Sequence, residues 1–146
     1  MPNPHLVFHH LGLAVRRPRE AIAFLSNLGY QLGETVFDPM QNVNLKMGLH
    51  ATEPAVEIIW PSDTPGPLGD MLNRHPAGLI YHVCYQTDNL SAALAGLKDA
   101  GLNVLCLSPS KPAPLFHGNH VSFYNVIGMG LIEILEQSSG PTADLK

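Results

Sequence analysis

Charge is scarce in this sequence: Asp, Glu, Lys and Arg together make up 14% of its 146 residues, while 45% are hydrophobic. That balance excludes the charge-rich, apolar-poor composition of disordered chains and predicts one compact core. Basic residues are fewer than acidic ones, 8 against 12, for a formal net charge of −4. Apart from Arg16, Arg17 and Arg19 they form no cluster. A phosphate-backbone footprint is therefore missing, and nucleic acid is not an expected partner.

Long apolar runs are also absent. Nothing approaches the ~20 residues of a membrane span, and the N-terminus lacks the charged region and apolar stretch of a signal peptide. The expectation is a cytoplasmic protein with no membrane partner. Two cysteines, Cys84 and Cys106, make no disulfide framework, and both read as small buried hydrophobes among apolar neighbours. There is no Gly-rich phosphate loop and no Ser/His/Asp order, so nucleotide-dependent and hydrolase chemistries lack support.

What the sequence does contain is an internal repeat. A shift of 72 residues sets His10-Leu-Gly-Leu-Ala-Val15 over His82-Val-Cys-Tyr-Gln-Thr87. It also sets Ala21, Ile22, Ala23 and Leu25 over Ala93, Leu94, Ala95 and Leu97, and Gly29 over Gly101. Each copy opens with an apolar run suited to a strand and continues with apolar residues at helical spacing, predicting helices over Pro18–Leu28 and Leu90–Ala100. Each helix then meets a glycine, the usual residue just past a helix end.

Beyond each glycine the period changes to that of strands, over Val43–Met47 and Ala55–Trp60 in the first copy. In the second copy the runs are Asn103–Leu107, His120–Tyr124 and Leu131–Leu135. The expected architecture is α+β, two βαβββ modules in a single domain of residues 1–137. The modules fall at about 8–61 and 79–137, with a Pro- and Gly-rich linker at 62–78 containing one short helical turn. Residues 138–146 read as a flexible tail. The stretch Ser108–His120 reads as a long, proline-stiffened connection forming a pocket wall or lid, with Lys111 available to an anionic group.

Chemistry is sought where polar residues interrupt apolar strands, since a buried charge is costly unless paired or bound to metal. His10 and His82 occupy equivalent places in the first strand of each copy. Glu57 interrupts Val56-Glu-Ile-Ile59, and Glu133 interrupts Leu131-Ile-Glu-Ile-Leu135, each in the last strand of its copy. Unrelated structural accidents have no reason to follow the repeat, so the four are read together as ligands. Two imidazoles and two carboxylates suit one divalent ion, Co, Mn, Ni, Zn or Fe, with positions left for water or substrate. Such a site polarises a carbonyl. Trp60, Phe116, Phe123 and Tyr124 read as core rather than as a cofactor box.

From about His9 to Gln137 the chain resembles the vicinal oxygen chelate (glyoxalase/bleomycin resistance/dioxygenase) superfamily, whose paired βαβββ modules form a cupped, mixed sheet around a metal. Within it the motifs look most like the methylmalonyl-CoA epimerase family. They are His9-His10-Leu-Gly-Leu-Ala-Val15, Val56-Glu-Ile-Ile-Trp-Pro61, Pro67-Leu-Gly-Asp-Met-Leu72, Ala77-Gly78 before Tyr81-His-Val-Cys84, and Gly130-Leu-Ile-Glu-Ile-Leu135. The resemblance implies metal ligation by His10, Glu57, His82 and Glu133. It also implies a homodimer and a metal-dependent isomerase or epimerase acting on a carbonyl substrate, an acyl-CoA or other acyl thioester, through an enolate.

One departure stands out. The epimerases carry a proton-transferring glutamate where this chain has Met40, within Pro39-Met40-Gln41-Asn42-Val43. Methionine accepts no proton, which leaves Glu133 as ligand and base together, with Asp38, Gln41, His117 or His120 as neighbours of the open positions. Glyoxalase I is the alternative lyase reading, but its Asp-Pro-Asp-Gly-Tyr turn is replaced here by Asn125-Val-Ile-Gly-Met-Gly130. A non-catalytic antibiotic- or metabolite-binding protein is the alternative from another class; retention of four ligand-type residues favours catalysis over it. Iron-dependent oxygen chemistry, which uses two His and one carboxylate, is disfavoured by the fourth candidate, Glu57.

Overall fold

In the computed structural model, which describes residues 2–64 and 66–137, the apolar alternations become strands and the helical spacings become helices. Strand β1 (Val7–Ala14) leads through Pro18 into helix α1 (Arg19–Asn27), and strands β2 (Gln31–Leu32), β3 (Val36–Asp38), β4 (Val43–Leu49) and β5 (Val56–Pro61) follow. Helix α2 (Pro67–Arg74) precedes the second copy: β6 (Leu79–Thr87), α3 (Leu90–Asp99), β7 (Val104–Pro112), β8 (His120–Val126) and β9 (Gly130–Glu136). After α1 and α3 the chain turns at Gly29 and Gly101, whose φ of +99° and +83° are open to glycine and strained for other residues.

The chain forms two compact units, residues 10–81 and residues 2–9 with 82–137. In the first, β1 and β5 are parallel and β4 is antiparallel to β5. The short β2 and β3 both pair with β4, antiparallel. In the second, β6 and β9 are parallel, and β8 joins β9 to β7 by antiparallel pairing. Each unit thus runs strand, helix, strands, with its last strand laid parallel to its first, the βαβββ plan the repeat predicts. The fold is α+β with mixed sheet pairing. Among the described residues, no helix is long and apolar enough to cross a membrane.

One face of each sheet packs on its helix. In the first unit Leu25 of α1 and Tyr30 join Val56 and Ile58, with Leu13, Ile22 and Trp60 against them. In the second, Tyr124, Val126, Ile132 and Ile134 cluster with Leu90 and Leu94 of α3. Because side chains alternate along a strand, the residues between these, Glu57 and Glu133 among them, face the other way.

Three expectations are corrected. Helix α2 spans eight residues rather than one turn, started by Pro67 in its first turn and anchored by buried Leu68 and Leu72. The stretch from Ser108 is not a long loop. Strand β7 continues to Pro112 through two register shifts, and a 3-10 turn at Pro114–Phe116 follows, with Ala113 and Phe116 buried. An outer strand tolerates prolines whose missing N–H faces solvent, and the register shifts absorb the rest. Cys84 is fully buried, whereas Cys106 is exposed on β7, beside Leu105 and Leu107, which are also exposed. The tail expected at 138–146 lies outside the described residues.

Candidate metal site

Sheet register carries the sequence repeat into three dimensions. Gly12 pairs with Glu57 across β1 and β5, and Cys84 pairs with Glu133 across β6 and β9. Gly12 and Cys84 are 72 residues apart, and each lies two residues beyond its histidine, His10 or His82. Directly paired residues share a face, as do residues two apart on one strand. Each histidine is therefore a diagonal neighbour of its glutamate on the face turned away from the helix.

The geometry follows from that register. In the first unit His10 Nε2 lies 3.8 Å from Glu57 Oε1. In the second, His82 Nε2 lies 3.1 Å from Glu133 Oε1. All four side chains are buried, with exposures of 0–4%. Glu57 also faces Met47 across β4, and Glu133 faces Phe123 across β8, whose ring meets that of His82 edge-on at 5.8 Å. Apolar neighbours of this kind lower the local dielectric, which strengthens ligation and penalises an uncompensated charge.

The donors fit a divalent ion. Atoms bound 2.0–2.2 Å from a metal stand about 3 Å apart when adjacent and about 4 Å apart when opposite. The 3.1 Å and 3.8 Å separations both fall in that range. Imidazole with carboxylate is a donor set that borderline first-row ions accept.

The other sequence-derived candidates take different roles. Asp38 is 1% exposed. Its carboxylate accepts hydrogen bonds from the Met40 and Gln41 backbone N–H groups, at 2.9 and 3.2 Å, and from the Gln41 side chain at 2.9 Å. It caps the turn that carries Met40, which is 57% exposed. His117 is an exposed turn residue with a left-handed backbone, φ +57°. His120 pairs across the sheet with Glu136, so it faces opposite to Glu133. Its Nδ1 lies 3.0 Å from Ser110 Oγ, which donates to Glu136. This Ser–His–Glu network has no motif in the sequence, because the register shifts in β7 bring Ser110 to His120. Lys111 pairs with Val121, beside Leu135, which puts it on the Glu133 face of the second unit.

The chain is similar to known proteins in sequence and in fold. An ethylmalonyl-CoA/methylmalonyl-CoA epimerase of Cereibacter sphaeroides is 29% identical over 116 residues, 79% of this chain and 84% of its own. A mitochondrial methylmalonyl-CoA epimerase of Bos taurus is 30% identical over 133 residues, 89% of this chain and 73% of its own. The crystal structure of methylmalonyl-CoA epimerase from Mycobacterium tuberculosis superposes with a TM-score of 0.74 at 19% identity, covering 97% of this chain and 95% of that one, a likeness of fold. A family model matches residues 9–123, from the histidine before His10 to the Phe123 that faces Glu133. By that match the chain belongs to the Glyoxalase/Bleomycin resistance protein/Dioxygenase superfamily.

Proposed function

We propose that this chain is a divalent-metal-dependent epimerase or isomerase of an acyl-CoA or related acyl thioester, with His10, Glu57, His82 and Glu133 as the ligands of one ion. The observation that carries the reading is the pair of repeat-related, buried His–Glu neighbours, one in each unit. The names of the curated relatives, which are epimerases of malonyl-type CoA thioesters, supply the substrate class.

A divalent ion there supplies Lewis-acid polarisation of a thioester carbonyl and offsets the negative charge that develops on its oxygen. The protein's own groups do the rest. Glu133 is the catalytic carboxylate that takes the proton from the carbon next to the carbonyl and returns it. Its apolar surroundings keep water from competing for that proton. Lys111, on the same face of the second unit, attracts the substrate's free carboxylate. Met40, on a turn fixed by Asp38, replaces the carboxylate that would serve the opposite face of the carbon. A proton returned by Glu133 goes back to the face it left, with retention. Inversion therefore takes a proton from water on the face that exposed Met40 borders, Glu133 then releasing its own to solvent, and exchange on the Glu133 face is the faster process. The protein acts in the cytoplasm as a homodimer.

The test is elemental analysis of protein purified without added metal, beside His10→Ala and Glu133→Ala variants. About one ion per chain, lost in both variants, is expected, together with solvent deuterium exchange into a 2-substituted acyl-CoA that needs the ion. No metal after reconstitution with Co, Mn, Ni, Zn or Fe would refute the site and leave a small-molecule binding protein.

A further inference from the structure

Strand β7 pairs with β8 along one edge, and no strand of the described residues pairs along its other edge. An open edge is a row of unpaired N–H and C=O groups, which proteins blunt with charges, prolines, breaks or bulges. The first unit does so: its outer strands β2 and β3 are two and three residues long, with Gly33-Glu34-Thr35 between them. The far half of β7 does so as well, through Pro109, Lys111, Pro112 and two register shifts. The near half does not. Val104, Leu105 and Cys106 run in regular register against Val126, Asn125 and Tyr124, and Val104–Leu107 contains no charge, proline or glycine.

The side chains repeat the contrast. Leu105 and Leu107 are 49% and 55% exposed, and Cys106 between them is also exposed. The β8–β9 turn adds Ile127 and Met129, 57% and 65% exposed. The Ile127 N–H donates to the Asn103 carbonyl at 3.0 Å, which holds this turn beside the start of β7. Four large apolar side chains, each about half exposed or more, present on the order of 400 Å², as much as the largest apolar patch of a typical monomer. A stable interface covers about 800 Å² on each partner, which the patch reaches once the backbone edge and its polar neighbours are included. The edge also matches its own copy. Laid antiparallel about a twofold axis at Cys106, Leu105 meets the partner's Leu107, Val104 meets the partner's Ser108, and no charge opposes a like charge.

We propose that the Val104–Ser108 edge is where a second copy of this chain docks, the two β7 strands joining into one antiparallel sheet. This rests on the homodimer of the reading above, to which it gives an interface, and is independent of the metal and the substrate. Sedimentation equilibrium of the intact protein should show a dimer. Leu105→Lys/Leu107→Lys, which charges the edge, should raise the dissociation constant at least ~100-fold and leave the circular dichroism spectrum unchanged, as exposed positions allow. Leu105→Val/Leu107→Val should keep the dimer. A bismaleimide of short span should link wild-type chains in pairs through Cys106 and fail to link Cys106→Ser, since Cys84 is fully buried. A dimer that persists in the lysine variant overturns the proposal and leaves the homodimer to another face. Dissociation by Phe24→Lys instead, at a 66% exposed ring on α1, would assign that face. A wild type that stays monomeric at every concentration overturns the interface and the homodimer together. Pairing through Cys106 in a protein that binds no metal upholds the interface and refutes the metal-dependent reading.

Discussion

Removing one member of the His82–Glu133 pair should destabilise the metal-free protein more than removing both. The two groups lie 3.1 Å apart with side-chain exposures of 0% and 3%, so neither has bulk water to replace its partner. Breaking a buried pair from one side typically costs about 3–5 kcal/mol, because the remaining group keeps its desolvation penalty. Replacing both by apolar residues of similar volume is neutral or stabilising by about 1–4 kcal/mol. His82→Leu and Glu133→Leu should therefore each lose several kcal/mol, while the double variant regains wild-type stability or exceeds it. Leucine suits both positions, which lie in a row with Cys84 and Phe123. Urea unfolding in chelator, with the midpoints compared at a common m-value, measures the cycle. Added divalent ion should stabilise only the wild type, by about 2.7 kcal/mol at a hundredfold excess over Kd. Additive single effects, with the double variant least stable of all, would refute the reasoning: the pair would then be an ordinary structural contact and not a site whose charges await an ion.

Other outcomes follow from single residues. Asp38→Ala removes the acceptor of three hydrogen bonds in the Pro39–Asn42 turn and should cost about 2–3 kcal/mol, with Asp38→Asn recovering more than half in the same unfolding assay. Met40→Glu should raise epimerisation of methylmalonyl-CoA relative to one-faced deuterium exchange by ~10²-fold, since a positioned base typically contributes that much; an unchanged ratio in product chirality would count against the one-faced mechanism. Burial raises the phenol pKa of Tyr30 above 10, and the Glu53 charge adds to the rise; burial also raises that of Tyr124, against the opposing Ser122 hydrogen bond. The folded chain then holds these protons above pH 10 when the unfolded chain has released them. Stability should be full below pH 10 and fall as pH climbs toward the folded values, and Tyr30→Phe/Tyr124→Phe should flatten that fall in thermal melts.

The βαβββ plan was legible because a period change from 3.6 to 2 follows each glycine, and because a repeat forces both copies toward the same solution. The same repeat made His10, Glu57, His82 and Glu133 stand out, and the sheet register explains why their sequence spacings differ. The glutamate must pair with the residue two beyond the histidine, as Gly12 does with Glu57 and Cys84 with Glu133, whatever the length of the turns between. The illegible parts depend on where a segment lies in the sheet. Cys106 and its apolar neighbours look like core by composition, yet β7 is an outer strand that pairs with β8 through two register shifts. Asp38 looks by type like a neighbour of the open positions, yet its carboxylate already serves the N–H groups of the next turn, and only backbone geometry distinguishes a carboxylate that closes a turn from one that faces a reactive centre. Residue type thus identifies the groups capable of chemistry, and register decides which of them are held beside a partner and left to perform it.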